Sequence, residues 1–240
     1  MRNKKLLDWS LVKSNIIHSG GVDWNAFRGA YKDLTFNQLN EIYDDIDTLY
    51  PIQSQHHAIH FSRMIGQLPE NLTIIELGCH QGELANRILK GSNKLKDYVD
   101  CRTDLGVICN ADRLIKSWIG YDFKAVLEKN VCRDKRYSMV ALNNWFHETK
   151  IPVCDVFLSS HVLEHLSESQ VEKTLNHCNA EYLLIEVPLT EDGRDWYNWT
   201  CTHVLKWGLR NLRVWLNENG YKIFYEVSEL GIIGAKKGSN

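Results

Sequence analysis

A short apolar run that stops at glycine and continues as a helical pattern constrains the fold of this chain most strongly. The segment TIIELG (73–78) is almost continuously apolar, which is typical of a strand buried on both faces of a parallel sheet. Gly78 and Gly82 flank the turn that follows, and residues 83–89 then carry apolar side chains at helical spacing. A strand, a turn with bare backbone and a helix form the repeating unit of doubly wound α/β folds.

The rest of the chain extends this alternation of strands and helices. Apolar runs predict further strands at 118–123, 137–142, 154–160 and 182–187. Helical patterns separate most of them, one near 168–178 and one from Leu205 to Leu216. Residues 221–238 are typical of two strands joined by a short turn, which makes them antiparallel. We therefore predict an α/β fold: a doubly wound, seven-stranded, mainly parallel sheet with a C-terminal antiparallel hairpin.

Residues 1–70 carry helical signals and are predicted to form a helical N-terminal cap on a domain at 71–240. Thr35 and Gln38 have the spacing of a capping box, and apolar residues follow at helical intervals. A second helix is predicted within 54–68. These N-terminal helices also offer a surface for a homodimer.

Composition and charge narrow the classes of function. The 240 residues carry a formal net charge of −2 with both signs interspersed, which disfavours long nucleic acid or a membrane surface as partner. The seven cysteines form no C-x-x-C pair, so neither a disulfide framework nor a zinc ribbon is indicated. Asp8 and Lys13 interrupt the N-terminal apolar run too early for a signal peptide. We expect a cytoplasmic protein without a membrane span that acts on a small acceptor.

The first turn and the next strand together predict a nucleoside site. Gly78 and Gly82 let a ligand lie against the backbone, although plain turns between strands and helices use glycine as well. Asp122 ends the second predicted strand, where a carboxylate can accept both hydroxyls of a ribose or, alternatively, cap the following helix. Residues 91–116, a predicted insertion, would account for the long spacing between the two motifs.

Two motifs resemble those of a known family. The segment IIELGCHQGEL is similar to the E-L-G-C-G-x-G first motif of class I S-adenosylmethionine-dependent methyltransferases. DVFLSSHVLEHL resembles their D-V-V-x-x-x-x-V-L-E-H-L fourth motif, and the order of the motifs extends the resemblance over about residues 70–238. The resemblance implies a Rossmann-like methyltransferase domain at 71–240 and S-adenosyl-L-methionine as cofactor.

Carried over by residue, the resemblance implies which positions hold this cofactor. His80 replaces the middle glycine of the first motif, and Asn143 replaces an acidic residue near adenine. The implied cofactor-binding residues are Glu76, Gly78, Cys79, His80 and Gly82 at the methionine end, Asp122 at the ribose, Phe123, Asn143, Asn144 and Trp145 near the base, and Ser159 and Ser160 at the exit of the fourth strand.

The fourth motif also supplies the candidate catalytic groups. A helical turn after the strand would project His161, Glu164 and His165 from one side of the cleft. Methyl transfer requires alignment of the acceptor and removal of its proton, and histidine suits the second task. We predict His165 as the base, His161 as the second candidate and Glu164 as the group that orients the base or the acceptor. The alternative is that the histidines serve only the fold.

Other constellations leave alternatives open. With His203, the fourth-motif residues could bind a divalent metal, in loose similarity to small-RNA 3′-terminal 2′-O-methyltransferases, but we predict no metal. His56, His57 and His60 are expected to be solvated or capping, and the aromatic residues of 193–200 are expected to form a lid or a stacking surface. The predicted function is O-methylation of a small molecule, sugar or glycan precursor. The alternatives are a metal-assisted RNA 3′-end 2′-O-methyltransferase and a non-catalytic, cofactor-binding partner subunit.

Overall fold

A computed structural model of the protein describes residues 8–18, 21–49, 58–90, 110–123, 130–187, 205 and 207–238. The helices in these ranges are α1 (Trp9–Ile16), α2 (Trp24–Ala30), α3 (Phe36–Leu49), α4 (Ala58–Ile65), α5 (Glu83–Leu89), α6 (Ala111–Leu114), α7 (Glu168–Cys178) and α8 (Leu209–Glu218). The strands are β1 (Ile17–His18), β2 (Gly21–Val22), β3 (Leu72–Leu77), β4 (Ile115–Phe123), β5 (Tyr137–Leu142), β6 (Val156–Ser160), β7 (Tyr182–Glu186), β8 (Tyr221–Val227) and β9 (Ile232–Lys237).

Within the described residues, seven strands form one sheet in the order β5-β4-β3-β6-β7-β9-β8. The five strands from β5 to β7 are parallel, and β9 pairs antiparallel with both β7 and β8. The predicted doubly wound sheet with its C-terminal hairpin is therefore confirmed. The chain reverses its direction of winding between β3 and β6, where Leu77 lies opposite Ser159. Ligands of open α/β sheets bind beyond the carboxyl ends of the strands at such a point.

Both faces of the sheet are buried, because helices pack on each of them. Val171 and Leu175 of α7 and Leu212 and Leu216 of α8 join the core on one face. Residues of α4, α5 and α6 pack on the other face around Trp118. All five residues of β6 are buried, as the continuous apolar run predicts for a central parallel strand. None of the described helices combines the length and apolar character needed to cross a bilayer.

The N-terminal helices α1 to α3 have a small core of their own, formed by Ile16, Phe27, Tyr31, Leu39 and Ile42. The predicted capping box before α3 is confirmed, since the Thr35 backbone N–H donates to Gln38 Oε1 at 2.9 Å. A two-stranded hairpin, β1 and β2, also lies in this region, where the sequence indicated only helices. Helix α4 packs with the sheet instead. A cap on a separate 71–240 domain stays a prediction.

Several predicted boundaries are corrected. Strand β4 begins at Ile115 rather than at 118, because Ile115 already pairs with Leu72 of β3, so the end of the predicted 91–116 insertion belongs to the sheet. Strand β6 begins at Val156 rather than at 154, and Leu205 is buried but lies before α8. Residues 91–109 lie outside the described residues. The cysteines that the structure describes are buried free thiols, namely Cys79, Cys132, Cys154 and Cys178.

Candidate active site

The turn after β3 has the left-handed backbone that its two glycines permit. Gly78 and Gly82 both have φ of +77°, and His80 between them has φ of +47°. A Cβ on Gly78 would overlap the Cγ2 methyl of Val162, and a Cβ on Gly82 would lie 2.8 Å from Tyr137 Cε1. Packing within the protein therefore requires both glycines, whether or not a ligand binds. His80 is one of the residue types that tolerate this conformation, which explains how it can lie between the two glycines of the turn.

Asp122 fastens this turn to the end of β4. Its Oδ2 accepts a hydrogen bond from the His80 backbone N–H at 2.6 Å, and its Oδ1 accepts one from the Phe123 N–H at 2.7 Å. A carboxylate has about four acceptor positions, so a group such as Asp122 can accept several hydrogen bonds at once. The alternative role as a helix cap concerns residues 124–129, which lie outside the described residues.

A buried acid, Glu76, lies under the turn. Its side chain is almost inaccessible, its Oε2 accepts from Trp118 Nε1 at 2.8 Å, and its Oε1 has no hydrogen-bond partner among the described residues. Burial, opposed by the Trp118 hydrogen bond and reinforced by Asp122, raises the pKa of Glu76 to about 8. Burial also raises the pKa of the adjacent Cys79 thiol well above its ordinary value, so this cysteine is a neutral packing residue. The open oxygen of Glu76 suits an incoming cationic donor.

The exit of β6 brings the three candidate catalytic residues together, as predicted. A short 3-10 turn at Leu163–His165 follows the strand, and His161 before it has φ of +55°. Glu164 is fully buried, and its Oε1 lies 3.5 Å from His161 Nδ1 and 3.9 Å from His165 Nε2. His161 and His165 are partly exposed, so they form the accessible surface of this cluster.

A fourth member of the cluster, Glu186, was not predicted. This fully buried residue ends β7, accepts a hydrogen bond from Ser160 Oγ at 2.5 Å, and has its Oε1 3.4 Å from His161 Nε2. A carboxylate at the end of the apolar run YLLIE was the available sequence signal. Burial alone would lower the pKa of His161, but Glu164 and Glu186 outweigh it and raise this pKa to about 10. His161 is thus an imidazolium near neutral pH, with no lone pair to accept a proton.

Aromatic side chains from the N-terminal helices pack against the same edge of the sheet, which the sequence did not indicate. Phe36 of α3 lies 5.3 Å from Phe123 and 5.6 Å from Trp145, measured between ring centroids. Tyr43 of α3 stacks on Phe123 at 5.4 Å, and the Tyr31 hydroxyl donates to the backbone carbonyl of His165. The implied base-binding residues Phe123 and Trp145 therefore share their surroundings with α3.

Of the other implied cofactor-binding residues, the asparagines after β5 are exposed and Ser159 is buried. Asn143 and Asn144 are exposed on the loop after β5, and Asn144 Oδ1 accepts from the Trp145 N–H at 2.9 Å. Ser159 is fully buried, and its hydroxyl has no hydrogen-bond partner among the described residues. His60 is not simply solvated, because its Nδ1 lies 2.7 Å from the Tyr225 hydroxyl.

The metal hypothesis needs His203, which lies outside the described residues. His56, His57 and the aromatic segment 193–200 also lie outside them. Where the structure is described, no group of three or more histidine, cysteine, aspartate or glutamate side chains has an arrangement that could hold a metal ion.

This sheet order, the glycine turn after β3 and the C-terminal hairpin define the fold of class I S-adenosylmethionine-dependent methyltransferases. No protein-family model and no curated protein sequence matches the chain.

Several solved methyltransferase structures share this fold. The small RNA methyltransferase HEN1 is 15% identical with a TM-score of 0.54, over 80% of this chain and 26% of HEN1. CalO1, a methyltransferase in calicheamicin biosynthesis solved with SAH, is 13% identical with a TM-score of 0.54, over 96% of this chain and 68% of CalO1. Human N-acetylserotonin methyltransferase in complex with SAM is 11% identical with a TM-score of 0.50, over 90% of this chain and 59% of the other. The chain spans about a quarter of HEN1, and identities this low show the fold alone.

Proposed function

We propose that the protein is an S-adenosylmethionine-dependent methyltransferase that methylates a hydroxyl of a small molecule, sugar or glycan precursor. The observation that carries the proposal is the convergence of the glycine turn, Asp122 and the cluster of His161, Glu164 and His165 at the switch point of a class I methyltransferase fold. The carboxyl ends of β3, β4 and β6 supply these groups, and ligands of open α/β sheets bind at this edge.

The residues present fit this cofactor. Glu76 has a buried oxygen with no hydrogen-bond partner among the described residues, which suits the ammonium of the methionine part. Asp122 ends β4 beside the glycine turn and offers a carboxylate to the ribose hydroxyls. Phe123 and Trp145 offer aromatic surface to the base. When bound, the cofactor supplies a methyl group on a sulfonium, which is an activated electrophile and needs no metal or redox partner.

On the acceptor side, the proposal assigns a different task to each member of the cluster. His165 accepts the proton of the acceptor hydroxyl as the oxygen is methylated, and releases it to solvent through its exposed part. Glu164 orients His165 through the contact with Nε2. His161 carries a positive charge that partly offsets Glu164 and Glu186, so we assign it to positioning and prefer His165 as the base.

The nature of the acceptor rests on charge. The net charge of −2 and the two buried carboxylates favour a neutral, hydroxyl-bearing acceptor over a polyanion. A metal-assisted RNA 3′-end 2′-O-methyltransferase is the second candidate, supported by the likeness to HEN1 and by the Glu164-His165 pair. A cytoplasmic location, a homodimer through the N-terminal helices and the alternative of a non-catalytic partner subunit are supported by the sequence alone.

A methyl-transfer screen tests the proposed function. Purified protein is incubated with S-adenosylmethionine labelled on the methyl group and with panels of sugars, hydroxylated metabolites and short RNAs, with and without EDTA. Label in a small hydroxylated acceptor that is insensitive to EDTA supports the proposal, whereas EDTA-sensitive label in RNA supports the second candidate. The variant His165→Gln tests the proposed base. His60→Gln is its matched control, since His60 pairs with Tyr225 away from the cluster. His165→Gln turnover equal to that of His60→Gln would contradict the assignment.

A further inference from the structure

One face of helix α3 contacts the end of strand β4 and the loops that follow strands β5 and β6. Tyr43 stacks on Phe123, the last residue of β4, with ring centroids 5.4 Å apart and planes 19° apart. Tyr43 also packs edge-on with His165, which follows β6, at 6.2 Å between ring centroids. Phe36, two turns earlier on the same face of α3, lies 5.6 Å from Trp145, which follows β5. An N-terminal helix therefore forms a wall of the site at this edge of the sheet.

The hydroxyl of Tyr43 on this wall finds no hydrogen-bond partner in the part of the chain that the structure describes. Its oxygen is buried and makes no hydrogen bond to any described residue. By contrast, the neighbouring Tyr31 hydroxyl already donates to the His165 carbonyl. A buried hydroxyl that makes no hydrogen bond destabilises the fold, so natural proteins seldom keep one unless something else binds it.

The surroundings of Tyr43 keep its hydroxyl protonated, so that it can donate a hydrogen bond. Burial first, and then Tyr31 and the carboxylates of Glu164 and Asp122, raise the pKa of Tyr43 well above its ordinary value. The phenol is therefore protonated near neutral pH. Phe27 packs edge-on against the Tyr43 ring at 6.0 Å between centroids and limits its rotation. The donor thus has a fixed place between the proposed ribose carboxylate and the proposed transfer site.

We propose that Tyr43 is a cofactor-binding residue whose hydroxyl donates a hydrogen bond to a ribose oxygen of the adenosine part. Asp122 accepts hydrogen bonds from the ribose hydroxyls, and Tyr43 donates one to a lone pair of a ribose oxygen, so the two side chains are complementary. The inference rests on the proposed function. It adds that helix α3 is part of the cofactor site and that the chain without it binds adenosine compounds poorly.

Two Tyr→Phe variants and two probes test the inference. Tyr43→Phe removes the hydroxyl and keeps the ring, and Tyr225→Phe is the matched control because its hydroxyl bonds His60. S-adenosylhomocysteine contains ribose and amino acid, whereas 5′-methylthioadenosine contains the ribose but no amino acid. Calorimetric titration should show that Tyr43→Phe weakens both probes about 3- to 10-fold, the value of one hydrogen bond. Tyr225→Phe should bind both probes as the wild type does.

Thermal unfolding of the free proteins separates binding from folding. Tyr43→Phe should be at least as stable as the wild type, because it removes an unpartnered buried hydroxyl. Unchanged affinity of Tyr43→Phe for both probes would overturn the inference while leaving the proposed function intact. A loss confined to S-adenosylhomocysteine would place the hydroxyl away from the ribose and would also overturn it. If the wild type bound neither probe, the proposed function and the inference would fall together.

Discussion

Replacing Glu76 by glutamine should raise the stability of the ligand-free protein relative to the wild type, and this difference should grow as pH rises. Glu76 is fully buried and its pKa is about 8, against about 4.5 in an unfolded chain. Between these values the unfolded state releases a proton that the folded state retains, so the stability of the wild type falls as pH increases from 4.5 towards 8. Glutamine does not ionise, and its oxygen can still accept from Trp118 Nε1.

The size of the effect follows from this shift in pKa. Each unit is worth about 1.4 kcal/mol, so integration from pH 5 to pH 8 gives a relative gain of about 3–4 kcal/mol for Glu76→Gln. Urea denaturation of both proteins at pH 5 and at pH 8 measures it, because the other titrating groups cancel in the difference. Glu148→Gln, at an exposed carboxylate, is the matched control and should show no such gain. A difference between wild type and Glu76→Gln that stayed constant within about 0.5 kcal/mol would refute the reasoning.

The same variant should separate stability from binding. The proposed role of Glu76 is to bind the ammonium of the methionine part, and a neutral amide is a weaker acceptor for a cation. Glu76→Gln should therefore bind S-adenosylhomocysteine at least tenfold more weakly at pH 8, where its fold is relatively more stable. Equal affinity at pH 8 would show that the open oxygen of Glu76 serves no ligand.

Three further predictions follow from the same site. NMR titration should show that the His161 ring stays protonated from pH 6 to about 8.5, because Glu164 and Glu186 raise its pKa to about 10. A titration midpoint near 6.5 in the wild type would contradict this. Gly78→Ala should destabilise the fold by about 2–4 kcal/mol in urea, since it combines a left-handed backbone with an overlap on Val162, and Val162→Ala in the same chain should recover part of the loss. His165→Gln should lower kcat about 100-fold or more while S-adenosylhomocysteine binds within twofold of the wild type, and unchanged kcat would remove His165 as the base.

The sequence was sufficient to predict the sheet because local patterns encode it. Continuous apolar runs identified the central strands, and the Thr35-Gln38 capping box identified the start of α3. Boundaries were less predictable where long-range pairing decides them. Ile115 belongs to β4 because it pairs with Leu72 of β3, more than forty residues earlier, and no local pattern reports such a pairing.

The site was predictable in its groups and less so in its contacts. His161, Glu164 and His165 lie together because they share one turn, which sequence spacing reveals. Glu186 and Tyr43 reach the same place from distant parts of the chain, so only the folded structure reveals them. The high pKa of His161 depends on Glu186, and sequence reasoning therefore left this histidine as a candidate base.

The most direct test of the account is calorimetric titration of the purified protein with S-adenosylhomocysteine, with NAD⁺ as the comparison ligand. The account predicts one S-adenosylhomocysteine per chain and no binding of NAD⁺. At a ligand concentration about 100-fold above the Kd, the fold should also gain about 2.7 kcal/mol of stability against urea. Absence of both the heat and the stabilisation, or binding of NAD⁺ instead, would contradict the claim that this edge of the sheet is a methyltransferase cofactor site.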